Sequence, residues 1–306
     1  MAIGDIITAA RYNNLQSRVA TVMGVGSGDD GYGQNLASSQ VATNAVVLAT
    51  DMQTLFTDLA NGRIHQTGTQ PTEVAFINVS DVILDSDTIN KKGVVQFENL
   101  TTSLENDKFV IAPSQASAEP GIQAQYTQNW NGTLTHVFDI VFADSDHRRH
   151  FFNAGGEIRF TADLDPAASN GKNNDWNNLL AAMGTVKFKS NNCTSDGSAP
   201  GTSFNIGNFE LTDSYQLVFQ KDGTGVYAEN DYNISAKENS TTVLEFRIQF
   251  RDDDAGDDTN DANQDGAINP IDEDVTGTLD SVVGERLPTG TRVSLTSPTF
   301  ATTNTL

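Results

Sequence analysis

The chain has 306 residues, with 40 Asp and Glu against 18 Lys and Arg, a formal charge of −22 and 37% apolar residues. That imbalance excludes a nucleic-acid binder, because phosphate neutralisation needs Lys and Arg, and it excludes docking on anionic lipid for the same reason. No run of 18 apolar residues is present, so no membrane-spanning helix is expected. Cys193 is the one cysteine, which rules out an intramolecular disulfide and a thiolate metal cage. The N-terminal residues lack the basic and apolar regions of a secretion signal, so synthesis and folding in a cytosol are expected.

Residues 1–68 read as a helical attachment and oligomerisation region. Thr8 is a candidate N-cap, and Tyr12, Leu15, Val19 and Val22 then recur as one helical stripe, stopped by Gly24. A Gly-rich loop follows. Met52, Leu55, Phe56 and Leu59 predict a second helix from about Thr50, ended by Asn61-Gly62. Narrow stripes of this kind bury little alone, so the helices pair with each other, with other subunits, or with both. Residues 69–120 alternate short apolar pieces with polar turns and read as a connector with some helix or strand, with a boundary near 112–120.

Residues 121–306 read as an antiparallel β-sandwich, so the fold class expected is mainly β with N-terminal α. His136, Phe138, Ile140 and Phe142 alternate, as do residues 244–250; Tyr215, Leu217 and Phe219 predict a third strand. Weaker runs lie at 157–161, 185–188 and 292–295. Trp176, Leu179, Leu180 and Met183 share a helical face closed by Gly184. All eight prolines fall in expected loops.

The sharpest local signal lies in an acidic stretch, 252–274, which holds ten acids and no base. Within it DANQDGAINPID has the spacing of a twelve-residue Ca²⁺ loop. Asp261, Asn263, Asp265, the Ala267 carbonyl, Asn269 and Asp272 supply the oxygens, and Gly266 permits the sharp turn. Amphipathic flanking helices are missing and Pro270 sits inside, so this is a loop inserted between strands. The competing reading is a solvated acidic hairpin loop. Asp252, Asp254, Asp257 and Asp258 offer a second, sparser cation set.

Other candidates are weaker. His147 and His150 lack a third metal ligand and read as a turn or subunit contact. His65 and His136 are isolated, Cys193 sits in a polar loop without a neighbouring base, and no GxSxG or phosphate-loop motif occurs. Trp130, Tyr227 and Tyr232 are candidates to stack on sugar, or else belong to a core or interface. No catalytic or cofactor-binding residue is singled out.

Several segments resemble virion structural proteins of marine contractile-tailed phages, cyanophages among them. They are GDIITAARYNNLQSRVATVMGVGSGDDGYGQ at the start, ATDMQTLFTDLANGRIHQTG, HRRHFFNAGGEIRFTADLD and DWNNLLAAMGTVKF. The resemblance implies a non-enzymatic virion component, made in the host cytoplasm and associated with tail, neck or fibre. Its partners would be itself, as a homo-oligomer, and other virion proteins. Tyr12, Leu15, Val19, Leu55 and Phe56 are then the expected subunit contacts. A receptor- or carbohydrate-binding fibre domain facing a host surface glycan, and a capsid decoration protein, are the alternatives.

Overall fold

Residues 7–254 and 273–302 are described by the structure, a computed structural model, and they form mainly β-structure preceded by helices. The chain divides into two compact units. The first comprises the stretch ending at Ser117 together with Ser145–Gly156 and Leu287–Thr296; the second comprises Ala118–Asp144, Glu157–Arg286 and the stretch from Ser297. Two short pieces expected in the sandwich domain therefore belong with the N-terminal helices.

In the first unit, α1 (Ala9–Met23), α2 (Ala49–Thr67) and α3 (Val94–Asn106) pack on one another. The Thr8 side chain caps α1 by accepting from the Arg11 amide at 3.2 Å. Helix α2 does not stop at Asn61-Gly62. It runs to Thr67 and ends on Gly68, whose φ of 79° is the left-handed cap. Gly62 serves close approach: a Cβ there would lie 2.5 Å from Leu104 Cδ1 and 2.8 Å from Met23 Sδ. Helix α3 comes from the stretch read as a connector. Its buried Val94, Phe97, Leu100 and Leu104 follow helical spacing, but Glu98, Asn99, Thr102 and Ser103 break the run into short apolar pieces.

Three arginines fasten α3. Arg11 binds Glu98 at 2.7 and 2.9 Å and Asp85 at 2.6 Å. Arg18 binds Glu105 at 2.9 and 2.6 Å, and Arg63 binds Asp107 at 2.6 Å. The bidentate pairs Arg11–Glu98 and Arg18–Glu105 fix orientation as well as distance. Beneath them Tyr12, Leu15, Val19 and Leu55 are fully buried in the unit's own core, and Phe56 packs edge-on to Phe76 at 5.8 Å. Tyr12, Leu15, Val19 and Leu55 are therefore engaged within one copy and are not the subunit contacts expected of them, whereas Phe56 is half-buried beside the exposed Phe76.

Helix α4 (Ser145–Asn153) also lies in this unit and carries His147 to His150. His147 Nε2 meets the Thr296 carbonyl at 2.7 Å, and His150 Nε2 and Arg149 meet the Val25 carbonyl at 2.8 and 2.9 Å. The two histidines thus hold loops, and Gly33 passes against the His150 ring where a side chain would not fit. The 292–295 run forms only the isolated bridge Thr289–Ser294 and no strand.

The second unit is a sandwich of two antiparallel sheets. One contains β1 (Ala116–Tyr126), β3 (Glu157–Pro166), β4 (Val186–Phe188), β5 (Cys193–Ser195) and β10 (Gly277–Pro288), in the order β1-β10-β3-β4-β5. The other contains β2 (Gly132–Val141), β6 (Thr202–Ser203), β7 (Gln216–Asp222), β8 (Asp231–Ser240), β9 (Val243–Asp252) and β11 (Thr299–Thr302), in the order β11-β2-β9-β8-β7-β6. Strand β9 alternates without a break: Leu244, Phe246, Ile248 and Phe250 face inward. Phe246 meets Phe160 at 4.9 Å and Phe188 at 5.0 Å across the gap. Helix α5 (Gly171–Met183), ended by Gly184, adds Trp176 to this core beside Trp130 and Phe250 at 5.2 and 6.0 Å.

Two expectations fail locally. A register shift between Leu217 and Phe219 turns Val218 and Phe219 inward together, so β7 loses its alternation. Pro120 lies inside β1 rather than in a loop, and Pro166 and Pro288 end strands; β1 is an edge strand, where a missing N–H is tolerated.

Because Leu15 and Leu55 are core residues, Leu15→Ala and Leu55→Ala are each expected to destabilise the isolated chain by about 2–5 kcal/mol in denaturant unfolding. Unchanged unfolding would return these residues to a contact between copies.

Candidate functional site

The point of interest is where the chain leaves β9 for the acidic segment and returns to β10. Lys172, in the first turn of α5, and Asp252, the last residue of β9, are both 0% exposed and 3.2 Å apart. Lys172 Nζ also donates to the Asp254 carbonyl at 3.3 Å. The Asp254 amide donates to Asn230 Oδ1 at 2.9 Å. On the return side, Trp130 and Val275 exchange backbone hydrogen bonds at 3.0 and 2.8 Å. Asn173, next to Lys172, donates to Thr276 Oγ1 at 2.8 Å and accepts from the Thr276 amide at 2.9 Å. Adjacent residues at the start of one helix therefore hold both ends of the segment.

The six expected Ca²⁺ ligands, Asp261, Asn263, Asp265, Ala267, Asn269 and Asp272, lie outside the described residues. Among the described residues no group of three or more His, Cys, Asp or Glu is placed to hold a metal. Of the sparser cation set, Asp252 is engaged with Lys172, while Asp257 and Asp258 lie outside the described residues.

The aromatic residues considered for sugar are not exposed. Trp130 packs edge-on to Trp176, Tyr232 is fully buried against Phe250 at 5.2 Å, and Tyr227 is buried in a turn. Their amphipathic rings read equally as surface or core in a sequence, and here they are core.

The reactive groups are also interior. Cys193 is fully buried on β5 and not in a polar loop, and burial pushes its thiol pKa up, away from the thiolate. His65 is wholly buried and its Nε2 meets the Ala154 carbonyl at 2.8 Å. His136 Nδ1 meets Ser281 Oγ at 2.8 Å, joining the inner faces of the two sheets. Burial lowers the His136 pKa. With Ser281 at 0% and His136 at 4% exposed, the pair is a buried polar link and has no face open to a substrate.

Sequence reasoning missed Glu285. It sits on the inward side of β10, 1% exposed, and its Oε2 has no hydrogen-bond partner. Burial pushes its pKa up to about 7; the Ser297 side chain opposes this and the Glu119 charge adds to it. The folded chain thus holds this proton to a higher pH than the unfolded chain. Its contribution is fully present below the ordinary carboxylate range and is lost as pH rises through about 7. Glu285→Gln, which cannot ionise, is expected to be on the order of 2 kcal/mol more stable than the parent at pH 8. At pH 4 the two should unfold alike, and an equal difference at both pH values would contradict the assignment. No protein-family model, no curated protein and no solved structure matches this chain.

Proposed function

We propose that this chain is a structural subunit of a phage particle, associated with tail, neck or fibre, and that it acts by assembly with copies of itself and with other virion proteins. The observation that supports the reading most is the use made of its chemically capable residues. His65, His136, His147, His150 and Cys193 all serve packing or internal hydrogen bonds. Residues of the resembling segment Phe151–Phe160 are structural too: Phe151, Phe152, Ile158 and Phe160 are core side chains.

The acidic segment is the second part of the proposal. Ten acids without a base repel one another, and a hard divalent cation relieves that through oxygen ligands at the spacing found from Asp261 to Asp272. The polar links from Lys172, Asn173 and Asn230 give the segment fixed points of departure and return. Calcium binding there would stiffen an otherwise self-repelling stretch of a particle.

The test uses purified particles and the isolated chain. Mass spectrometry of the particles is expected to find the chain in fixed ratio to other structural proteins; its absence would overturn the reading. At calcium ten times the Kd, binding adds about 1.4 kcal/mol, a rise of about 2 °C in Tm that chelation reverses and Asp261→Ala/Asp265→Ala abolishes. An unchanged Tm would remove calcium from the account.

A further inference from the structure

The outward face of the five-stranded sheet is electrically polarised. Strand register places Arg286 beside Glu157, Gly284 beside Arg159 and Lys187, Val282 beside Thr161, Asp280 beside Asp163 and Thr278 beside Asp165. Alternate residues share a side, and Ile158, Phe160 and Leu164 are buried, so this row of partners points outward.

At one end Arg159, Lys189 and Arg286 surround the Glu157 carboxylate at 3.6, 3.9 and 3.5 Å, and Lys187 pairs with Asp196 at 2.7 Å. Glu119 of β1 borders the same end, so on the outward row four cations face three acids, with Glu285 of the inward row also lining the cleft. At the other end stand Asp163, Asp165 and Asp280, with Asp163 and Asp280 directly opposite each other. Like charges so placed destabilise a sheet unless something outside it compensates. Between the ends lie uncharged Thr161, Val282 and Gly284, which line a shallow cleft of about 170 Å³.

We propose that this face is a self-docking surface, on which a second copy of the chain lies with its β3 antiparallel across Thr161. A two-fold axis in the face at that residue brings Arg159 of one copy over Asp163 of the other, twice by symmetry, and brings Glu157, with Arg159, Lys189 and Arg286 around it, over the mate's Asp165. Such a contact is isologous: one surface serves both partners. A free anion would satisfy the basic end only and leave three aspartates whose one hydrogen bond from this sheet is that of Gln125 to Asp280 at 2.9 Å, whereas a second copy brings a cation to Asp163 as well. The proposal deepens the assembly reading and rests on it, naming the surface that copies share. Exposed ion pairs contribute little each, so the contact is weak between two free copies and gains from repetition in a particle.

Cross-linking of the full chain tests it. Thr161 is exposed and Cys193 is fully buried, so Thr161→Cys carries the one accessible thiol among the described residues. In 0.15 M salt a short bis-maleimide is expected to give about tenfold more covalent dimer than with Val226→Cys, which lies in an exposed turn after β7, the equivalent of two or three exposed ion pairs. Adding Arg159→Glu/Lys187→Glu, or separately Asp163→Lys/Asp165→Lys, abolishes the excess, and mixing the two preparations restores it as a heterodimer. Restoration also shows that both variants fold. Equal yields at Thr161 and Val226, or an excess that survives both reversals, overturn the proposal. So does loss with the basic reversal alone, which would assign that end to a different anionic partner. Particle composition is read separately: the chain present in particles without the Thr161 excess sinks this surface and leaves the assembly reading, and the excess with the chain absent from particles does the opposite.

Discussion

The ion pair between Lys172 and Asp252 fixes the part of the chain on which the functional account turns. Both groups are removed from water, so separating them costs each a close charge partner in the interior, where such partners count most. The pair joins the first turn of α5 to the last residue of β9. The next residue of the helix, Asn173, takes the returning strand at Thr276. Behind them Trp176 sits against Trp130 and Phe250, so the polar junction is backed by an aromatic one. Packing sets where the helix lies, and the ion pair sets which residues leave the sheet beside it.

Charge scarcity explains much of the rest. With 18 bases against 40 acids, several of the cations stand where they fasten one part of the chain to another. Arg11, Arg18 and Arg63 hold α3 against its neighbours, and Lys172 holds the start of the acidic segment. On the outer face of the six-stranded sheet, Lys237 pairs with Glu245 at 3.0 Å while Arg247 stacks on Tyr215 at 4.3 Å, whose hydroxyl bonds Glu245. The stretch from 252 to 274 contains no base of its own. That is the physical reason for assigning it an external cation, and the polarity of the five-stranded sheet's outer face has the same origin.

What could be read in advance was what local periodicity carries. The stripe of α1 with its Thr8 cap, the alternation of β9, and the Trp176 face of α5 with its terminal Gly184 all appear where the spacing put them. Features that depend on distant partners were hidden. Gly62 looked like a stop because glycine usually ends helices, but it lies inside α2 where the ends of the Leu104 and Met23 side chains approach. Helix α3 was obscured by polar residues on its open side. Lys172 and Asp252 are far apart in sequence, and neither local stretch signals the other. Trp130, Tyr227 and Tyr232 carry no mark distinguishing a core ring from a sugar platform. The Ca²⁺ spacing is a sequence pattern alone, since its residues lie outside those described.

Denaturant unfolding of Lys172→Met, Asp252→Leu and the double variant tests the central junction most directly. Each single change is expected to cost about 3–5 kcal/mol, while the double variant, which removes both members of the pair together, should cost less than the two losses summed. Single variants as stable as the parent, or a double variant that merely adds the two losses, would contradict the role given to this pair.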